Sequence, residues 1–365
     1  MEHDADILIV GGGLNGPALA LALAQGGVSV AVIDARPALA RADEAFDGRA
    51  YALALASVRI LQALGVWTGL RDKAQPMRAI RASQGQAGQG AAPLFLGFDA
   101  AEIEEGAMGQ MIEDRHLYAA FLAAMQAAPG VTLISGATVV AQEVGASGVA
   151  VTLADGRVLR GRVLVGCDGR DSAVARRAGI RRWGWDYGQT ALVCAIAHEK
   201  PHDGIAHQFF MPPGPLAILP LPGNRSSIVW SERSATAEAI QNLDDAGYLE
   251  VLRPRFGDFL GAIRLEGRRF AYPLRLTIAE RFIDQRLALV GDAAHGVHPI
   301  AGQGLNLGLR DVAALAEVLI EAARRGEDIA APDVLDRYQQ WRRFDVLRMA
   351  LGMDAVNRLF SNGNP

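Results

Sequence analysis

This chain has only two cysteines in 365 residues, Cys167 and Cys194, and each sits in an apolar, strand-like run. That excludes a disulfide framework and a cysteine metal pair, and it fits buried free thiols in a reducing, cytoplasmic compartment. There is no basic surplus either. Lys and Arg number 36 against 40 Asp and Glu, a net charge of −4, so nothing points to nucleic acid. The start, Met1-Glu2-His3-Asp4-Ala5-Asp6, is acidic where a signal peptide would be positive. No apolar run spans a bilayer: the longest, residues 7–32, is broken by Gly11 to Gly13, Asn15, Pro17 and Gly26-Gly27. His295 and His298 are three apart, but Pro299 follows and no carboxylates cluster with them, so a metal site is not expected. Repeats and low-complexity segments are missing too. What remains is the balance of a globular enzyme, 50% apolar and 21% charged, with room for one large or two interleaved domains.

Residues 6–10 form a continuous apolar run, as in a strand covered on both faces. An Ala/Leu-rich helix over 16–25 follows, closed by Gly26-Gly27, and then a strand over 28–33 that ends at Asp34. That is a complete βαβ unit. Helical spacing recurs at 57–64 and 114–127, and short strands are expected at 131–134, 138–142, 149–153 and 162–166. Residues 85–97 give weak signals and read as an irregular excursion. Between about 183 and 272 the texture turns to alternating strands (191–197, 207–211, 216–219, 227–231), interrupted by one helix over 243–256. The fold class expected is α/β: a dinucleotide-binding Rossmann-like domain with an interleaved mixed or antiparallel substrate domain. The boundaries expected are 1–77, 109–180 and 273–345 for the first, 78–108 and 181–272 for the second, and a C-terminal helical segment at 346–365.

Two glycine clusters carry the chemistry. Gly11-x-Gly13-x-x-Gly16, with Leu14 and Asn15 inside it, follows a strand and opens a helix. The glycines permit a tight turn, close approach of a pyrophosphate and close helix–strand packing, with the phosphate charge at the helix N-terminus. Asp34, 18 residues past Gly16, can take both ribose hydroxyls. An acid there disfavours a 2′-phosphate, leaving FAD or NAD. The bland alternative is a glycine-rich turn with no ligand. The second cluster, Gly291-Asp292-Ala293-Ala294-His295 through Pro299 to Gly302-Gln303-Gly304-Leu305-Asn306, decides between the two. Asp292, ending a buried strand, can accept from ribityl hydroxyls. The helix entered at 302–306 would aim its N–H groups at the pyrimidine edge of a flavin. Two such loops far apart suggest one long cofactor held at both ends, FAD.

The segment 291–308 resembles the second FAD motif of class A aromatic-ring hydroxylases, the para-hydroxybenzoate hydroxylase fold. Val165-Gly166-Cys167-Asp168-Gly169-Arg170-Asp171-Ser172 is similar to that family's Asp-Gly motif. Within the family the pattern is most similar to the ubiquinone-biosynthesis hydroxylases, at Asp47-Gly48-Arg49 with Ala52-Leu53, at Glu113-Asp114-Arg115, and at 302–311. The resemblance implies that Arg49 and Arg115 reach the flavin phosphates and ribityl chain, and that Asp168 shapes the FAD and NAD(P)H sites. It places the backbone at Gly304, Leu305 and Asn306 beside the ring, with Pro299 and Gln303 at the reactive face and His295 packed nearby. It implies NAD(P)H as co-substrate, O2, a C4a-hydroperoxyflavin and oxygen transfer to the ring of a polyprenylphenol. An apolar wall from Phe209, Phe210, Met211, Pro212, Pro213, Leu219, Pro220 and Leu221 suits such a ring, although these residues also read as sheet core. Peripheral association with the inner membrane or a biosynthetic complex is a further implication. Members of that branch run some tens of residues past the last helix into a segment credited with membrane contact. Here the chain stops at Phe360-Ser361-Asn362-Gly363-Asn364-Pro365, which reads as a truncated form or a shorter homologue. The competing readings are hydroxylation of another aromatic compound, a flavin reductase of the same fold, a non-catalytic FAD-binding protein, or an NAD dehydrogenase. The last would leave the Gly291 loop without a purpose.

Overall fold

The computed structural model describes residues 3–38, 45–88, 90–102 and 106–361. Its first sheet is built around Ile7–Val10, flanked by the parallel strands Val30–Asp34 and Val163–Gly166. Val131–Ser135 and Leu287–Leu289 extend it in parallel, and the short Ile283–Asp284 closes one edge antiparallel. Strands buried on both faces need no alternation, which is why they read as plain apolar runs. Leu19 and Leu23 of helix Asn15–Gln25, Leu117 and Phe121 of Asp114–Ala127, and Leu307 and Leu315 of Gln303–Arg324 join the strands in one core.

Register positions the site. Val10 lies beside both Ile33 and Gly166, and Gly166 beside Leu289. The turns beginning at Gly11, Asp34, Cys167 and Val290 therefore leave the sheet at one carboxyl edge. From the central strand the chain first builds outward to one side and later to the other, so a crevice opens at that edge between the two halves.

The second sheet has eight strands. Two 17-residue strands, Arg182–His198 and Ile263–Ala279, run antiparallel through it and reach back toward the first sheet. One face packs Trp230, Tyr248 and Phe256 into a core under the helices Ser234–Gln241 and Asp245–Phe256. On the other face, Ala195, Ala206 and Leu221 meet Met77 and Met111, with Ala52 and Leu219 packed alongside.

One expectation is corrected. Residues 85–97 are not irregular: Ala79–Gln86 and Gly90–Asp99 pair antiparallel at the sheet edge, with a register shift between Ser83 and Gly85. Small residues and that bulge conceal the period of two. The helix expected over 243–256 is found at Asp245–Phe256, starting there because Asp244 accepts from the Gly247 N–H at 2.8 Å, and the helix Ser234–Gln241 before it was not foreseen. The last helix, Pro332–Phe360, runs unbroken through 346 into the segment expected to be helical at the C-terminus. Cys167 and Cys194 are free, and burial pushes the Cys194 thiol up to about 12.

Candidate functional site

Close packing explains the first glycine loop. A side chain at Gly11 would strike the Cys167 carbonyl, and Gly11 also has a φ of 112°. One at Gly16 would strike the Gly11 carbonyl, and one at Gly12 the Asp34 carboxylate. Asp34 stands at the end of its strand with Oδ1 accepting from the Arg36 N–H at 2.8 Å and Oδ2 turned to Gly12. Leu14 is a core residue, 7% exposed, and can offer a ligand only its backbone.

The second loop meets the first through one side chain. Asn15, opening helix Asn15–Gln25, packs its amide against both Gly291 and Gly308, where any Cβ would collide with it. The two clusters read separately from the sequence are thus one structure. Asp292 is at its rim, 38% exposed and paired with Arg170 at 3.2 Å. Gly302, in the left-handed region at φ 62°, turns the chain into helix Gln303–Arg324; a Cβ there would stand 3.0 Å from that of Ala52. At Gly304 a Cβ would meet nothing within 4 Å. An open space therefore lies against the first turn of a 22-residue helix, at its positive end. A crowded glycine turn at one end and an open helix N-terminus at the other fit an extended flavin dinucleotide. Pro299 precedes the turn Ile300–Gly302, and Gln303 begins the helix.

Several of the expected site residues also make bonds within the protein. His295 is 1% exposed and bonds Asp311 Oδ2 at 2.6 Å; the same oxygen accepts from the Gly291 N–H at 2.9 Å, and Arg342 Nε donates to Oδ1 at 2.7 Å. Burial would raise the Asp311 pKa, but His295 and Arg342 more than offset it and hold the carboxyl below its ordinary value. His295 thus braces the Gly291 turn and is a positioning residue. Asp168 spends both oxygens at home, accepting from Ser172 Oγ at 2.5 Å and the Val174 N–H at 3.0 Å. The Asn306 side chain accepts from the Ala54 N–H and Ser57 Oγ and donates to the carbonyls of Ala52 and Gly302, so only its backbone is left for a ligand. Arg49 pairs with Asp47 at 2.7 Å and Asp114 at 3.1 Å, and Arg115 with the buried Glu113 at 2.7 Å. Phe209 and Met211 belong to the core under the helices, whereas Phe210 meets Phe360 with ring centroids 4.9 Å apart. Sequence reasoning gave Arg342 no role and saw Asp311 only as part of a pattern; helical spacing could not show that residues 31 apart would share one buried contact.

His207 and His298 are both held neutral, pushed down to about 4 chiefly by burial. Their folded pKa values lie below the ordinary 6.5, so the unfolded chain binds protons first as pH falls. Stability should be full above about pH 6.5 and decline toward about pH 4. Urea midpoints across that window check this, with His207→Phe expected to flatten part of the slope; a level profile in the unaltered protein would contradict it.

The family model described as an FAD binding domain matches residues 4–350. A ubiquinone hydroxylase, UbiL, of Rhodospirillum rubrum is 49% identical over 358 residues, covering 98% of this chain and 82% of that protein. The 3-demethoxyubiquinol 3-hydroxylase of Escherichia coli is 38% identical, over 100% of this chain and 92% of its own length. Among solved structures, Pseudomonas aeruginosa PqsL in complex with 2-aminobenzoylacetate superposes with a TM-score of 0.83 at 24% identity, covering 99% of this chain and 97% of that one. The p-nitrophenol 4-monooxygenase PnpA of Pseudomonas putida gives 0.82 at 21%, covering 100% and 91%. With both glycine loops and the sheet between them inside the matched region, the chain belongs to the FAD-binding-domain family, in the branch of the ubiquinone hydroxylases.

Proposed function

We propose that this protein is an FAD- and NAD(P)H-dependent monooxygenase that hydroxylates the aromatic ring of a polyprenylphenol-type intermediate in ubiquinone biosynthesis. The observation that carries the reading is the junction at Asn15, which makes two distant glycine loops one cradle with open space at Gly304. The names of the relatives, ubiquinone hydroxylase and 3-demethoxyubiquinol 3-hydroxylase, support the substrate class. FAD, when bound, accepts reducing equivalents from NAD(P)H and activates O2.

The chain's part is to bind, orient and keep water out. Gly11, Gly13 and Gly16 would admit the pyrophosphate, Asp34 the adenosine ribose and Asp292 the ribityl hydroxyls. The N–H groups of Gly304, Leu305 and Asn306 would stabilise negative charge on the reduced ring. Arg49 and Arg115, oriented by their acidic partners, would face the phosphates and ribityl chain. Pro299 and Gln303 border the space where the substrate ring would lie, with Ala52, Leu219 and Leu221 of the apolar cluster supplying a dry wall. A prenylated substrate resides in membranes, so peripheral association with a membrane or a biosynthetic complex follows from this reading. Among the described residues no helix is long and apolar enough to cross one.

The test uses purified protein. It should be yellow, and 2-geranylphenol should stimulate NAD(P)H oxidation with hydroxylated product found by mass spectrometry. Colourless protein, or oxidation indifferent to the phenol, would overturn the proposal.

A further inference from the structure

His298 immediately precedes Pro299 and the turn into the helix at Gln303, and it is 1% exposed. Its Nδ1 accepts from the Ile300 N–H at 3.3 Å. Burial keeps the ring neutral, so a ring accepting at Nδ1 carries its proton on Nε2. That Nε2–H is buried and has no acceptor among the described residues. A second group beside it is close to this condition. Tyr187 meets the His298 ring edge-on, centroids 5.1 Å apart at 84°, and its buried hydroxyl has no close partner among the described residues beyond a loose interaction with the Asp354 carboxylate. Burial and the nearby Asp354 carboxylate keep that hydroxyl protonated. Asp354 accepts more closely from Trp185 Nε1 at 3.1 Å and Arg358 Nε at 2.9 Å.

A buried donor left open beside one held only loosely destabilises a fold unless something supplies an acceptor. The strand bearing Tyr187 is irregular here, its register shifting between Asp186 and Thr190. The pair thus sits where the second sheet meets the turn that borders the open space at Gly304.

We propose that the His298 Nε2–H, with the Tyr187 hydroxyl at its flank, holds the ring oxygen of the aromatic substrate and sets the preference for a hydroxylated ring. A neutral imidazole donates this hydrogen bond without surrendering its proton, so it favours the phenolate character that makes a ring electron-rich. The inference rests on the hydroxylase reading and names the atoms by which that site would recognise its substrate.

The test is equilibrium binding to the flavin-loaded full chain, followed by perturbation of the flavin spectrum. The probes are 2-geranylphenol and geranylbenzene, which has the same tail and no oxygen. The unaltered protein should prefer the phenol about tenfold. His298→Phe should lose that preference while binding geranylbenzene as before, and His298→Gln, which retains a donor, should recover part of it. If His298→Phe keeps the preference, or weakens both probes equally, the assignment falls and the hydroxylase reading stands. If the unaltered protein binds neither probe, both fall. Should His298→Phe fail to retain flavin, Tyr187→Phe decides: a preference reduced about threefold supports the pair, and an unchanged one overturns it.

Discussion

Replacing Asp311 with alanine should destabilise this protein by about 3–5 kcal/mol, the cost of stranding a buried charge. The carboxylate is fully buried and receives the Gly291 N–H, His295 Nε2 and Arg342 Nε at once. Its loss leaves the Arg342 guanidinium inside the protein with Asp345 at 2.7 Å as its remaining acid partner and Nη2 unbonded among the described residues, and it frees the turn that holds Asp292 at the rim. Asp311→Asn should do less damage, since one amide oxygen can still accept, but it removes one of the two charges that balance Arg342. The sign with pH follows from the depressed carboxyl. Its contribution is complete above the ordinary carboxylate pKa and is lost as pH falls through the lower folded value. Urea unfolding of the flavin-loaded chain, with flavin release followed in parallel, measures both consequences. A loss under about 1 kcal/mol with flavin retained would mean that Asp311 does not brace the Gly291 turn.

What the sequence disclosed, and what it hid, follows from the range of the interactions. Residues 114–127 were expected as a helix and are one, because apolar spacing and an acidic first turn are local properties. The glycine loops were legible for the same reason, since each is a strand, a turn and a helix in succession. The Asp311–Arg342 bond was not, because it joins two different helices at the close of the chain. Asp168 shows the opposite hazard. Its motif was recognisable, yet the side chain caps its own turn, a local use that a pattern cannot tell from ligand binding. The hairpin at 79–99 was concealed by glycines and by exposed Leu94, Phe95 and Leu96 in one unbroken run, which erases the alternation expected of a half-covered strand.

Gly308→Ala should act far from any chemistry and still disrupt cofactor binding, because Asn15 fills the space its methyl would need. The Asn15 Oδ1 atom lies 2.7 Å from the position of that Cβ, and the amide nitrogen is closer still. Overpacking of this kind costs about 1–3 kcal/mol, and the strain falls on the contact joining the two glycine loops. Asn15→Ala removes the obstacle, and the Asn15 oxygen has no hydrogen-bond partner among the described residues to lose. The double variant should therefore regain most of the stability lost in Gly308→Ala, a favourable coupling of at least about 1 kcal/mol in a double-mutant cycle. Gly291 presents the same amide with a second surface, so Gly291→Ala should be relieved less completely, its φ of 63° remaining unfavourable to alanine whatever stands at position 15. Additive losses in the first cycle would mean that Asn15 moves aside freely. The two loops would then be neighbours without being mechanically joined, and the case for one cofactor stretched across both would lose its structural basis.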